Sequence, residues 1–512
     1  MRYQIPLLFL LLCFFSKSYS QTDKPNVILI MCDDLNDYQG VFGGHPQAQT
    51  PNIDAMAATG VQFINAQSNV PVCQPSRNSL FTGVYPHESN DFGWTGRTKQ
   101  PVLKHNKTLM QLFQENGYYT LGTGKLLHGN NEPKSWDEWG MNTKHNYGPF
   151  PFDGEKMVAH PKVPQPYQSI GPVDGSYGRL STCDSWVYGR DKKPFNYESD
   201  DKRDLMQDEL HAQWASNKLK ELEAKDSSQP FFMGVGFVNP HTPIHAPDRF
   251  FDMFPIEELE LAPWLENDAE DTFLKDNINP NNKGFRYYRS MLESYNGDRE
   301  LALKHFLQAY LACVAFVDEQ IGKVLDTLEK TKFKDNTIVI LTADHGWQMG
   351  EKNYLFKNSP WDESARVPMV IMAPDAHVGA KVEQPVSLVD IYPTLLDYCN
   401  LSGSNTINEE GGKLGGYSMV PLLDNDEETI WRGPRGALTI VGNIGSSTAI
   451  EEQHYSYRTK DWRYIRYADG TEELYHHKND PHEWKNLVDD NKYKMVKLSL
   501  YKEVCEILGV KL

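Results

Sequence analysis

The sequence predicts an α/β fold: a large mixed, mainly parallel sheet sandwiched by helices, followed by a small C-terminal antiparallel sheet with one helix. Three observations carry this. Short runs that are apolar throughout, such as Asn26–Met31, recur along the chain between helix-like segments, as strands buried on both faces do. Leu301–Leu328 is amphipathic over a helix-length stretch. After about Leu423 the pattern changes to short strands around the tight-turn pair Asp469-Gly470.

Residues 1–20 stand outside the fold. Arg2, the apolar run Ile5–Phe15 and the small residues Ser18-Tyr19-Ser20 before Gln21 read as a secretory signal peptide. The run is too short to span a bilayer, and no other segment reads as long and apolar enough to do so. The expectation is an exported protein, periplasmic or secreted, without a stable membrane anchor. Asn26–Met31 is the first strand. Thr50 is a good N-cap and Pro51 suits the first helical position, with Gly60 ending that helix. Tyr118–Leu121, Phe231–Val238, Thr337–Thr342 and Val367–Ala373 are further buried strands, and Val389–Tyr398 is a helix. The stretch Met141–Asp204 is rich in Pro, Gly and aromatics and lacks periodicity, so a long functional loop is expected there. Tyr455–Tyr457, Trp462–Tyr467 and Glu473–Tyr475 are the late strands, and Lys492–Leu508 is the last helix. The expected division is a large α/β domain over residues 21–425 and a C-terminal α+β subdomain over 426–512.

Composition narrows the function. With 512 residues, 39% hydrophobic and 23% charged, the chain can build a packed core, which excludes disordered, collagen-like and coiled-coil classes. Its 51 Lys and Arg against 69 Asp and Glu give a net charge of -18, against a nucleic-acid partner, which calls for a basic footprint. Seven scattered cysteines make neither a disulfide framework nor a zinc site.

Chemistry-bearing residues fall at strand ends. Val70-Pro71-Val72 leads in extended to Cys73-Gln74-Pro75-Ser76-Arg77, with Pro75 expected at the first helical position. Cys73 then sits at a helix N-terminus, where backbone N–H groups and the dipole favour an anion. Arg77 lies one turn further and back beside it. Asp33-Asp34 follows the first strand, and Asp344-His345-Gly346 follows Thr337–Thr342. Both meet at the carboxyl edge of a parallel sheet, where ligands bind. Hard carboxylate oxygens there suit Ca²⁺ or Mg²⁺. Gly124-Lys125-Leu126-Leu127-His128-Gly129 follows another strand, and three-residue spacing lets Lys125 and His128 share a helix face. Asn239-Pro240-His241-Thr242-Pro243 brings His241 to a further strand end, and Lys357 follows the Asp344 segment. In so acidic a chain, an anion bound at these ends calls for local focusing to overcome global repulsion.

Cys73–Arg77, followed by Leu80-Phe81-Thr82-Gly83, resembles the signature of the type I, formylglycine-dependent sulfatases. Gly124-Lys125-x-x-His128 and the late stretch Asp480-Pro481-His482-Glu483-Trp484-Lys485-Asn486-Leu487 are similar to further elements of that family. Asp344-His345-Gly346-Trp347 and Pro240-His241-x-Pro243 look closest to its iduronate-2-sulfatase branch, which also holds bacterial polysaccharide sulfatases. The likeness covers most of residues 24–490. It implies the alkaline-phosphatase-like sulfatase fold and conversion of Cys73 to formylglycine (3-oxoalanine) by a maturation enzyme. It also implies one Ca²⁺ held by Asp33, Asp34, Asp344, His345 and the oxygen at position 73, with Arg77, Lys125, His128, His241 and Lys357 gathered round one anion site. The implied reaction is hydrolysis of sulfate monoesters on a carbohydrate, such as an algal glycan or a glycosaminoglycan.

In the mechanism so implied, the metal and Arg77 favour ionisation of one hydroxyl of the hydrated aldehyde for attack on sulfur. Lys125 and Lys357 spread charge on the sulfuryl oxygens, His241 protonates the leaving oxygen, and His128 takes the proton of the second hydroxyl. The alternatives are a phosphonate or phosphate ester hydrolase on the same fold, and a non-catalytic glycan-binding protein with Cys73 unconverted. Phe92, Trp94, Trp139, Trp186 and Tyr188 are the aromatics available to stack on sugar faces.

Overall fold

A computed structural model describes residues 24–129, 132–140, 147–189, 191–225, 228–273, 282–423, 430–442 and 449–512. The expected signal peptide and the 425/426 division lie outside the described residues. Eight strands make the main sheet: β1 (Asn26–Asp33), β2 (Val61–Phe63), β3 (Tyr119–Gly124), β4 (Glu138–Trp139), β5 (Phe231–Pro240), β6 (Thr337–Ala343), β7 (Met369–Met372) and β8 (Lys381–Val382). Their spatial order is β8-β2-β7-β6-β1-β5-β3-β4. The block β6-β1-β5-β3-β4 is parallel, and β7 runs antiparallel to both β6 and β2. Every residue of β1, β5 and β6 is buried, which is why these strands read as unbroken apolar runs.

The principal helices are α1 (Pro51–Thr59), α2 (Cys73–Thr82), α3 (Leu109–Glu115), α4 (Gln207–Ala224), α5 (Arg299–Glu329), α6 (Ile391–Tyr398) and α7 (Lys494–Leu508). Helices α1 and α4 pack on α5, and α3 and α6 pack on α2. By length and composition α5 does pass as a membrane span, contrary to the sequence expectation, but 78% of its apolar window is buried inside the fold. It is the central core helix.

Three local expectations are corrected. Thr50 occupies the N-cap of α1 without capping it: its hydroxyl donates to Asp54 Oδ1 at 3.2 Å and accepts from Gly40 N at 3.0 Å. The helix end is satisfied from α5 instead, where the Asp318 carboxylate accepts from Asn52 N at 3.1 Å and Ile53 N at 2.8 Å. Helix α2 begins at Cys73, not Pro75, with Val72 as N-cap. The described part of Met141–Asp204, expected as one long loop, is irregular backbone into which two- and three-residue strands and two short 3₁₀ turns are set. Phe150–Pro151, Trp186–Tyr188 and Lys193–Phe195 form one small sheet, and Tyr177–Arg179 pairs with Ile244–Ala246. Elements that short carry no detectable period.

Strands β9 (Gly436–Val441), β10 (His454–Thr459), β11 (Trp462–Arg466) and β12 (Glu472–His476) form an antiparallel sheet in sequence order. It shares a hydrophobic cluster with α7 and with Val70, Val72 and Phe92. Ile440 N donates to Asn69 O at 2.8 Å, and Thr439 Oγ1 to Ser68 O at 2.6 Å. The late sheet therefore backs the segment that leads into α2.

Candidate active site

The carboxyl ends of β1, β5 and β6 and the N-terminus of α2 meet at one buried cluster. Asp33 is the last residue of β1 and Asp34 the first beyond it, with φ of 61°. That left-handed residue breaks the strand alternation, so successive carboxylates serve one centre. Tyr310 of α5 pins the turn: its hydroxyl donates to Asp34 O at 2.7 Å and accepts from Asn36 N at 3.0 Å. From β6, Asp344 Oδ1 accepts from Asp34 N at 3.2 Å and His345 N at 3.0 Å. The Ser68 and Ser76 hydroxyls both donate to Asp344 O at 2.6 Å.

Three cations interleave with the three carboxylates. Arg77 donates through Nε to Asp344 Oδ2 at 2.8 Å, places Nη2 3.3 Å from Asp33 Oδ1, and bonds the Lys125 and Leu126 carbonyls. Lys125 Nζ pairs with Asp33 Oδ2. Lys357 Nζ donates to Asp34 Oδ1 at 2.7 Å and lies 3.0 Å from Cys73 Sγ. His345 Nε2 is 3.3 Å from the same sulfur, and its Nδ1 is 3.4 Å from Asp34 Oδ1. His241 places Nε2 3.7 Å from Asp34 Oδ2, while Nδ1 bonds Thr242 O at 2.5 Å. His128 is half-buried against Trp94, ring centroids 5.2 Å apart. Lys125–Gly129 is a bend rather than a helix, so Lys125 and His128 share no helical face. All of the sequence-predicted site residues fall in or beside this cluster, with His128 at its rim.

Burial sets the electrostatics. Asp34 is pushed up to about 8 by burial, which Lys357 only partly offsets, with Asp33 and Asp344 adding to the rise. Burial alone would raise Asp33, but the fixed charges of Lys125, Arg77 and Lys357 hold it well below the usual carboxylate range. His241 and His345 are held far below 6.5 by burial and by Lys357, and His128 falls to about 3 through burial and Lys125. These rings are neutral. Burial also pushes the Cys73 thiol well up, which makes it a poor nucleophile as a thiol.

The carboxylate oxygens of this cluster suit a hard divalent cation, whereas the Cys73 sulfur and the His345 nitrogen beside them are softer donors. Ligand atoms of Asp33, Asp34, Cys73 and His345 lie within 4.8 Å of one another, and the buried Asp33 Oδ1 and Asp34 Oδ2 have no hydrogen-bond donor. Three carboxylates and three fixed cations nearly cancel, so an added divalent ion leaves a cluster that attracts an anion.

Several contributors carried little or no signal in the sequence. Tyr147, in the aromatic insertion, sets its ring 4.9 Å from Lys125 Nζ and 5.2 Å from the His241 ring. Asp208 of α4 accepts from Val238 N and Asn239 N, both at 2.8 Å, and so holds the end of β5 that delivers His241. Asp174 accepts from Thr242 Oγ1 at 3.1 Å on the other side. Ser76 lay within a recognised motif; Asp208 and Tyr310 had no local mark.

Known proteins resemble this chain over most of its length. A family model described as Sulfatase matches residues 25–401, and one described as N-sulphoglucosamine sulphohydrolase, C-terminal, matches residues 350–508. A protein of Formosa agariphila named Sulfatase is 33% identical over 479 residues, covering 93% of this chain and 85% of its own. Iduronate 2-sulfatase of Mus musculus is 26% identical over 549 residues, covering 93% of this chain and 92% of its own. Among solved structures, a protein in complex with its substrate D-glucosamine-2-N,6-O-disulfate gives a TM-score of 0.67 at 23% identity, over 95% of this chain and 98% of that one. A phosphonate monoester hydrolase from Silicibacter pomeroyi gives 0.70 at 20% identity, over 95% and 96%. At these identities the two structures speak for the fold alone.

Proposed function

We propose that this chain, which belongs to the sulfatase family and is a sulfuric ester hydrolase, releases sulfate from a carbohydrate after Cys73 has been oxidised to formylglycine and with Ca²⁺ bound. The observation that carries the proposal is Cys73 at the first position of α2, within reach of Lys357 and His345 and beside three buried carboxylates. Asp33, Asp34, Asp344 and His345 would hold the cation. When present, hydrated formylglycine supplies a hydroxyl for attack on sulfur and a second hydroxyl whose deprotonation restores the aldehyde, while the cation supplies Lewis-acid polarisation.

The chain's own side chains do the rest. Arg77 is locked between Asp344 and Asp33, so its charge stays at the N-terminus of α2 without reorganisation. Lys125 and Lys357 remain charged, because their carboxylate partners outweigh the burial that disfavours the ammonium. They bind the sulfuryl oxygens. His241 is oriented by the Thr242 carbonyl, which leaves Nε2 turned to the cluster. A bound sulfuryl anion raises its proton affinity, and Nε2 then delivers a proton to the leaving oxygen. His128, neutral at the rim, keeps one ring nitrogen unprotonated and so can accept one.

Cys73 is only 1% exposed, so conversion by the maturation enzyme precedes folding. Export by residues 1–20 to the periplasm or medium, and the division at 425/426, belong to the same reading. The test is the mass of the peptide across residues 73–77 together with sulfate release. Specific activity is expected to track the converted fraction. Full activity with an intact Cys73 thiol would sink the proposal, and faster turnover of a phenyl phosphonate than of an aryl sulfate would turn it toward the phosphonate reading.

A further inference from the structure

Of the five aromatics that the sequence offers for sugar stacking, Phe92, Trp186 and Tyr188 are buried, and Trp139 is half-buried over Gly122. Trp94 is 49% exposed. Leaving so large an apolar ring in water forgoes burial free energy that a mobile loop would gain by folding it inward. Yet the loop is clamped on both sides. Upstream, the buried Asp91 accepts from Asn78 Nδ2 at 2.8 Å, and Phe92 is part of the C-terminal core. Downstream, Asn78 Nδ2 reaches Thr95 O at 3.4 Å. Arg97 donates to Glu132 Oε1 at 2.8 Å and to the Leu103 and Asn106 carbonyls at 3.0 and 3.1 Å.

Asn78 follows Arg77 on α2, so the clamp is fixed to the helix that begins with Cys73. The Trp94 ring meets the His128 ring at 5.2 Å and 47°, at the rim of the anion site. On either side of Trp94, a Cβ added to Gly93 or Gly96 would meet no atom within 4 Å, so this surface of the loop is open. A flat apolar ring, held rigid beside the site and approachable from solvent, matches the apolar C–H face of a pyranose.

We infer that Trp94 is the platform on which the leaving-group sugar stacks while its sulfate enters the cluster; this rests on the carbohydrate sulfatase function proposed above. The stacking fixes the ring whose oxygen must face His241, and so sets which sulfated sugars are productive.

The experiment compares wild type, Trp94→Ala and Trp94→Phe. Each is assayed with a panel of glucosamine 6-sulfate, galactose 6-sulfate and a 2-sulfated uronate disaccharide, and with inorganic sulfate as a competitive inhibitor that has no ring. The readout is the ratio of KM for the preferred sulfated sugar to Ki for sulfate. That ratio is expected to rise about tenfold in Trp94→Ala and to stay within about threefold of wild type in Trp94→Phe. If Trp94 merely props His128, KM and Ki rise together and the ratio is constant, which overturns the platform and leaves the sulfatase assignment standing. If wild type hydrolyses 4-nitrophenyl sulfate but no sugar in the panel, the carbohydrate reading falls and the platform with it.

Discussion

Asp34 shows how much one backbone angle decides. In a continued strand its carboxylate would face away from Asp33; at φ of 61° both face the cluster. Burial, reinforced by the neighbouring Asp33 and Asp344, pushes it up to about 8, so at neutral pH it holds a proton much of the time. A cation binds only its deprotonated form. Ca²⁺ binding at pH 7 is therefore expected to release a proton. Its affinity should fall as pH drops below about 8, by up to about tenfold per unit. Calorimetry in buffers of different ionisation enthalpy checks this; binding enthalpy independent of the buffer would contradict it. Asp34→Asn should bind Ca²⁺ weakly and with no proton release.

At the scale of elements, long-range side chains finish what local patterns begin. The Asp34 turn is held from α5 by the Tyr310 hydroxyl, which both donates to Asp34 O and accepts from Asn36 N. Tyr310→Phe leaves that buried N–H without an acceptor, at a cost of roughly 1–3 kcal/mol. Two effects are expected: a lower denaturation midpoint and weaker Ca²⁺ binding in the variant. A loss of stability with unchanged Ca²⁺ affinity would mean that the turn holds its shape without Tyr310. Asp318 caps α1 from the same helix, so α5 supplies both ends of the β1–α1 connection with polar partners that its own sequence lacks.

Across the whole molecule, the late sheet is tied to the segment that carries Lys357. Trp361 Nε1 donates to Glu473 Oε2 at 3.1 Å, and Ser456 Oγ to Pro360 O at 2.6 Å. Asp362, His477 and Glu483 converge there in a way that resembles a metal cluster. Arg366, Arg458 and Arg463 surround Asp362, and Arg463 and His477 hold Glu483, so the group is an ion-pair network. Burial alone would raise Glu483, but Arg463 and His477 bring it down to about 2 from an ordinary 4.5. A depressed carboxylate stabilises the fold fully above its unfolded value and loses that contribution as pH falls through the folded one. Wild type should thus exceed Glu483→Gln by about 3 kcal/mol at pH 6. The gap should narrow as pH falls from 4.5 toward 2, as denaturant titrations at each pH will show; a gap constant with pH would remove Glu483 as its source. The net charge of -18 acts at the same scale. Added salt is expected to speed sulfate release from a long polyanion more than from its short oligosaccharides, by screening repulsion away from the local cations. Equal salt response for both would show that the surface field plays no part.

Local chemistry determined much of this protein from sequence alone. Unbroken apolar runs marked β1, β5 and β6, amphipathic spacing marked α5, strand ends marked Asp33, Asp34 and Asp344, and a motif at a helix start marked Cys73 and Arg77, because periodicity and motif spacing are properties of neighbours in the chain. The short strands of the insertion, the start of α2 and the true cap of α1 were not legible, since two or three residues show no period and a cap can come from any distance. Only the tertiary structure set Tyr310 behind the Asp34 turn and Asp208 behind the end of β5, and left Trp94 exposed while Phe92, Trp186 and Tyr188 were buried. Those outcomes depend on which strands pair and which faces pack, and pairing is decided by the whole core at once rather than by any segment of it.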